Sequence, residues 1–133
     1  MQIFNFISLI LFFILLFYLG SAGLSNFLAR RRGTVLKANA FIEKHNEENG
    51  QLIDVREKEP FKRSHLKGAR NMPSMTLSQG KSGLRKDMPI FIYGETLGSA
   101  AGVAKRLRKE GAKKDMLFLM AGGYRAFQAK QKR

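Results

Sequence analysis

No charged side chain occurs before Arg30, and between residues 3 and 19 only Asn5, Ser8 and Tyr18 interrupt a run of Ile, Leu and Phe. At roughly −0.3 to −0.6 kcal/mol for each large apolar residue, such a run gains on the order of −6 kcal/mol on entering a bilayer, which outweighs one Asn near its end. At about 1.5 Å per residue, residues 3–22 reach across a hydrocarbon core of about 30 Å. The expectation is one N-terminal transmembrane helix, with residues 1–29 as anchor and juxtamembrane segment and residues 30–133 as the domain it carries. A cleaved secretory signal is the alternative, since Gly20, Ser21 and Ala22 offer small residues at a cleavage position. Such a signal starts with a basic region, whereas here Arg30, Arg31 and Arg32 follow the apolar run. The positive-inside rule then gives a single-pass protein of the cell membrane whose domain lies on the cytoplasmic side.

Beyond the anchor about 100 residues remain, enough for one domain with its own core. The chain has no cysteine, which removes disulfides, thiolate catalysis and cysteine-ligated metals together. Its formal net charge is +14, and because every charge lies at or after Arg30, the excess belongs to the domain. Lys105, Arg106, Arg108, Lys109, Lys113, Lys114, Lys130, Lys132 and Arg133 join the arginine triplet in a surface that attracts anions. Anionic lipid head groups are the expected partner, because the tether already holds the domain near them and each cation at the surface contributes about 1 kcal/mol. Nucleic acid attracts the same charges and ranks behind lipid. A protein partner is also expected.

Hydrophobic pattern divides the domain into alternating strands and helices. A short β-prone run at residues 34–36 precedes helix formers from Ala38 to Glu48, with Ala40, Phe41 and Lys44 on one side and a stop at Asn49 and Gly50. Residues 51–55 read as a strand, apolar but for Leu52's neighbour Gln51 and for Asp54, a carboxylate that in a buried strand needs hydrogen bonds from adjacent loop backbone. A turn or short helix surrounds Phe61, a short strand lies within residues 65–73, and residues 74–87 form a polar connector with one helical turn. His45 and His65 fall on different elements and make no metal site. Residues 90–93 and 116–120 read as strands buried on both faces. Between them Ala100, Val103, Ala104 and Leu107 form one helical stripe, with Lys105, Arg106, Arg108 and Lys109 opposite and Gly111 as the stop. A last helix carries Ala126, Phe127 and Ala129 toward the core. This alternation predicts an α/β domain with a central parallel sheet flanked by helices.

The loop at residues 94–99 follows the carboxyl end of a central strand, where ligands of open α/β sheets sit. A helix starting at Ser99 would aim its free N–H groups at the loop, and Gly94 and Gly98 would allow tight or positive-φ backbone, so the shape of an anion cradle is expected from Glu95, Thr96, Leu97, Gly98 and Ser99. Its only charge is Glu95, whose carboxylate is expected to cap the helix end itself. The hydroxyls of Thr96 and Ser99 lack an adjacent base strong enough to activate them.

Taken together, Leu52-Ile53-Asp54-Val55-Arg56, Glu59 with Phe61, His65-Leu66-Lys67-Gly68-Ala69, Asn71-Met72-Pro73, and Phe118-Leu119 with Gly122-Gly123-Tyr124 and Phe127 resemble the rhodanese domain over about residues 34–130. The resemblance implies a rhodanese-like central parallel sheet whose active loop follows the fourth strand and cradles a persulfide or oxyanion with backbone N–H groups. The family's cysteine nucleophile falls on Gly94 and its loop arginine on Ser99, so both functional side chains are missing. Asp54 and Arg56 take structural roles. Neither a cofactor nor a metal is expected. Two functions follow: a catalytically inactive rhodanese-like binding or scaffold module at the membrane, or a sulfurtransferase relay component using a cysteine supplied by a partner.

Overall fold

The computed structural model describes residues 2–131; Lys132 and Arg133 of the basic C-terminus lie outside the described residues. Five strands form one sheet in the order β1-β5-β4-β2-β3, with every pairing parallel. They are β1 (Thr34–Leu36), β2 (Gln51–Asp54), β3 (Arg70–Asn71), β4 (Ile90–Tyr93) and β5 (Leu117–Met120). The helices are α1 (Gln2–Arg32), α2 (Ala38–Glu48), α3 (Lys58–Arg63), α4 (Ser74–Ser78), α5 (Leu97–Lys109) and α6 (Gly123–Gln131). The expected α/β architecture is present, with a long apolar helix ahead of it.

Alternation along the central strands sorts the core into two layers. Ile90 and Ile92 of β4 face one side, where Ile53, Leu117 and Leu119 meet the Ala100, Val103, Ala104 and Leu107 stripe of α5. Phe91 and Tyr93 face the other, with Leu52, Phe118 and Met120, against Phe41 of α2 and Tyr124 of α6. The first layer is aliphatic; the second is aromatic, with Phe41 edge-on to Phe91 at 5.5 Å and Phe91 stacked on Phe118 at 4.8 Å. Burial of both faces explains why β4 and β5 read as unbroken apolar runs.

The 31 residues of α1 form a continuous helix, so it does not end with the apolar run. Its large apolar side chains stand exposed, from Ile3 to Leu19 and again at Leu24 and Phe27, with Ile7, Leu11 and Leu15 each about half exposed or more. At Ala29 the helix enters the domain core against α5, and Arg32 Nη1 donates to the Ala101 carbonyl at 3.2 Å. The helix that is apolar enough to cross a membrane therefore runs without a break into the turn that packs on the domain. No flexible linker separates them among the described residues.

Several local expectations are corrected. In α2, Ala40 is exposed, while Phe41 is buried and Lys44 extends its ammonium over the Phe118 ring at 5.1 Å. In α6, Ala126 and Ala129 are exposed; Tyr124 anchors the helix and Phe127 is half-buried. Small residues make poor markers of a face, because Ala fits either side of a helix at little cost. Met116 belongs to a 3-10 turn (Lys114–Met116) rather than to the strand. The connector 74–87 is pinned down at several points: Leu77 and Leu84 are buried, Gln51 Nε2 donates to the Arg85 carbonyl, and Glu110 receives Ser82 and Lys86.

Candidate functional site

The site is the loop between β4 and α5, and neighbouring elements hold its backbone from two directions. The Gly94 carbonyl accepts from Tyr124 N–H at 2.7 Å and the Glu95 carbonyl from Arg125 N–H at 3.4 Å. Both donors open α6, which reaches the loop through two successive left-handed glycines, Gly122 at φ +75 and Gly123 at φ +70. Gly123 has no room for a side chain: an added Cβ would stand 2.6 Å from Thr96 Cα. The Gly-Gly-Tyr sequence thus clamps the loop against the start of the last helix.

α5 begins at Leu97, two residues before the expected start at Ser99. Thr96 is its N-cap, and a reciprocal capping box closes the helix end: Ser99 N–H donates to Thr96 Oγ1 and Thr96 N–H to Ser99 Oγ, each at 3.4 Å. Ser99 Oγ also donates to the Thr96 carbonyl at 2.8 Å. The usual capping box has Glu or Gln at its third helical position, so the spacing Thr-x-x-Ser carried a weak signal. Two of the N–H groups expected to face a ligand are therefore used internally. Neither Gly94 nor Gly98 has a positive φ, and Glu95 turns away from the helix end.

Gly94 and Ser99, the positions matched to the cysteine and arginine, lie side by side. A Cβ built on the buried Gly94 would overlap Ser99 Oγ and would stand 3.0 Å from Val55 Cγ2 and 3.2 Å from Ser99 Cβ. The serine hydroxyl fills the volume where a nucleophile's side chain would start. Leu97 is buried beneath the loop, Gly98 and Thr96 face solvent, and the carbonyl groups of Gly94 and Glu95 are engaged as described.

Beside the loop, Asp54 and Arg56 form a buried ion pair. Asp54 is fully buried and Arg56 6% exposed. Arg56 Nε donates to both Asp54 oxygens at 3.1 Å and Nη2 to Oδ2 at 2.8 Å, while Arg56 N–H caps Oδ1 at 2.9 Å. Other partners engage more of the guanidinium: Nη2 donates to the Ser64 carbonyl at 2.6 Å, Nη1 to Glu95 Oε1 at 3.3 Å, and its central carbon lies 4.0 Å from the centre of the Tyr124 ring. Burial on its own would lower the arginine's pKa, but the hydrogen bond and charge of Asp54, then Glu95, outweigh it and raise the pKa above its ordinary value. Asp54 thus draws on loop backbone, as expected, and on Arg56, which the sequence did not show as its main partner. Tyr93 closes the network by accepting Leu66 N–H at 3.0 Å, and burial pushes its phenol far above the ordinary range.

The network opens on a cleft of about 250 Å³ lined by Arg56, Pro60, Arg63, Ser64, Glu95 and Gln128. Ser64 Oγ receives the Tyr124 hydroxyl at 3.0 Å and Gln128 Nε2 at 3.1 Å, contacts that no motif in the sequence announces. The histidines are apart from this site: His65 stacks on Phe61 and bonds its carbonyl, and His45 bonds the Gly50 carbonyl.

The family model of the rhodanese-like domain matches residues 37–130. An uncharacterized protein, YqhL of Bacillus subtilis (strain 168), is 37% identical over 82 residues, covering 62% of this chain and 64% of its own length. Among solved structures, reduced CoADR-RHD of Bacillus anthracis is 30% identical with a TM-score of 0.57, over 70% of this chain and 16% of that one. A rhodanese-like domain protein from Staphylococcus aureus shares the fold at a TM-score of 0.61 and 21% identity, over 70% of this chain and 89% of that one. The chain thus spans less than two thirds of the first two of these proteins.

Proposed function

Because this chain belongs to the rhodanese-like domain family, we propose that it is a membrane-tethered, catalytically inactive member that acts as a binding or scaffold module at the cytoplasmic face of the cell membrane. The observation that carries this reading is the fit of Ser99 into the volume beside Gly94. Sulfur transfer by a protein nucleophile needs a side chain that attacks and a pocket that holds the resulting anion. Position 94 has no side chain, and the hydroxyl beside it is committed to the helix cap. Arg56, a buried cation beside the loop, spends four of its five N–H donors on Asp54, Ser64 and Glu95, which leaves no bidentate fork to offer an oxyanion. What remains is a rigid loop with a cleft beside it, a surface suited to recognition by a protein partner.

Tethering rests on α1, whose exposed apolar length suits a bilayer, and sidedness on the three arginines in its last turn. Two measurements test the proposal. The full chain in detergent should show no cyanide-dependent turnover of thiosulfate above a heat-killed control; turnover would overthrow the inactive reading. Protease added to intact spheroplasts should leave the domain whole, and its digestion from outside would overturn the topology.

A further inference from the structure

Where α1 leaves its exposed apolar length and packs on α5, the two helices border a shallow, open groove of about 310 Å³ lined by Arg31, Arg32, Lys105, Arg108 and Lys109. Every side chain that lines it is cationic. Among the described residues, none of the ion pairs engages these five groups. Arg32 spends one N–H on the Ala101 carbonyl and Arg31 lies 5.7 Å from the centre of the Phe27 ring, which leaves the remaining donors facing the groove. Like charges brought together by folding repel unless an anion sits between them.

The position of the groove along α1 selects the anion. The uncharged stretch from residue 3 to residue 28 is about 39 Å long at about 1.5 Å per residue, more than the roughly 30 Å of a hydrocarbon core. Whether the helix tilts or its last apolar turn rises among the head groups, Phe27 stays near the interface. Arg31, four residues later, then lies about 6 Å further out, within the head-group layer. Because Ala29 and Arg32 fix α1 to α5, Lys105, Arg108 and Lys109 are held at the same depth instead of moving on a linker.

The geometry points to a binding site for the phosphate head group of an anionic phospholipid, held in the α1–α5 groove by Arg31, Arg32, Lys105, Arg108 and Lys109. This rests on the membrane-tethered reading and deepens it: the bound head group fixes how the domain stands on the bilayer, and so which way the β4–α5 loop faces.

The test uses the full chain in detergent micelles doped equally with phosphatidylglycerol and phosphatidylcholine, examined by native mass spectrometry. Wild type should retain one phosphatidylglycerol in clear preference to phosphatidylcholine. The triple variant Lys105→Ala, Arg108→Ala, Lys109→Ala should lose that preference by at least about tenfold, as expected when several cations each contribute a few-fold. A control triple variant, Lys58→Ala, Lys62→Ala, Lys67→Ala, removes as many exposed cations elsewhere and should keep the preference. Equal retention of both lipids by wild type, or an equal loss in the control, overturns the site. So does a short DNA duplex that binds wild type in neutral micelles and is lost in the same groove variant. Flotation with pure phosphatidylcholine vesicles keeps the two readings apart: failure to float defeats the membrane reading, whereas flotation without lipid preference defeats only the groove.

Discussion

The Ser99 hydroxyl lies where a side chain on Gly94 would begin, and two hydrogen bonds with the Thr96 backbone, one accepted from its N–H and one donated to its carbonyl, hold it there. The two positions are complementary: Gly94 has no side chain, and Ser99 turns a small hydroxyl into the space beside it. Restoring the family's cysteine therefore meets a steric obstacle before it meets a chemical one. Gly94→Cys should cost about 1–3 kcal/mol through overpacking and form no persulfide. Ser99→Ala on its own should cost roughly 1 kcal/mol by opening the capping box. Combined, the two should cost less than their sum, because the alanine frees the volume the cysteine needs. Thermal unfolding of the full chain in micelles reads the cycle, and strict additivity would show that the overlap is relieved by other means.

The Asp54–Arg56 pair should behave as a buried charge whose partner cannot be removed. Its side chains are 0% and 4% exposed, so Asp54→Asn leaves a guanidinium with too little compensation and should destabilise by about 3–5 kcal/mol. Glu95 touches the same guanidinium but is 45% exposed, and water screens that contact. Glu95→Gln should cost less than about 1 kcal/mol. Denaturant midpoints for the two variants give the comparison, and a similar cost for both would mean that Glu95 rather than Asp54 holds the arginine.

Much of the fold was legible because it depends on patterns repeated over many residues. Unbroken apolar runs announced β4 and β5, the stripe through Ala100, Val103, Ala104 and Leu107 announced the inner face of α5, and Asn49 marked the end of α2, where it adopts φ 51. The errors came from single small or polar residues. Ala40, Ala126 and Ala129 carry no information about burial, and a Thr-x-x-Ser cap looks like any loop until the helix is seen to start at Leu97. Of the site, the position of the loop between β4 and α5 was legible, because it follows an unbroken apolar strand. The contact of Ser99 with Gly94 was not legible, since it depends on where α5 begins. Nor could sequence order show that α1 runs on into the core at Ala29 or that Arg31 and Arg32 meet Lys105, Arg108 and Lys109 of α5 in one groove.

Glu110 gives the domain an acid-sensitive contact away from the loop. Burial would raise its pKa, but Ser82 N–H at 3.1 Å, Ser82 Oγ at 3.0 Å and the Lys86 ammonium at 3.5 Å favour the carboxylate and bring the pKa below its ordinary 4.5. A carboxyl group whose pKa is depressed on folding contributes stability above its unfolded pKa and loses it as pH falls through the folded one. Wild type should therefore lose stability below about pH 4.5 more steeply than Glu110→Gln, while at pH 7 the variant should be the less stable. Melting temperatures across that range decide the matter; parallel pH profiles would show that Glu110 does not carry this dependence. The contact matters because it ties the connector at Ser82 to the end of α5, below the face that Leu77 and Leu84 bury.

The clamp from α6 should depend on Gly123 far more than on its neighbour, although both have positive φ. A left-handed conformation costs a residue with a side chain roughly 1–2 kcal/mol at either position. Beyond that the surroundings differ. At Gly122 a new Cβ would stand 2.9 Å from Ala126 Cβ, an exposed methyl that a small shift of the helix can relieve. At Gly123 it would meet the Glu95 carbonyl and stand 2.6 Å from Thr96 Cα, both backbone atoms of the loop. Relief there means separating α6 from the loop and lengthening the 2.7 Å bond from Tyr124 N–H to the Gly94 carbonyl. Gly123→Ala should therefore cost at least about 2 kcal/mol more than Gly122→Ala, in the range of overpacking against atoms that cannot rotate away. It should also speed amide hydrogen exchange at Tyr124, which Gly122→Ala leaves near the wild-type rate. Tyr124 stacks on the Arg56 guanidinium, so the displacement should reach the buried ion pair as well as the loop. Equal costs for the two alanines, or unchanged exchange at Tyr124 in Gly123→Ala, would mean that the loop keeps its shape without the clamp and owes it to the Thr96–Ser99 cap alone.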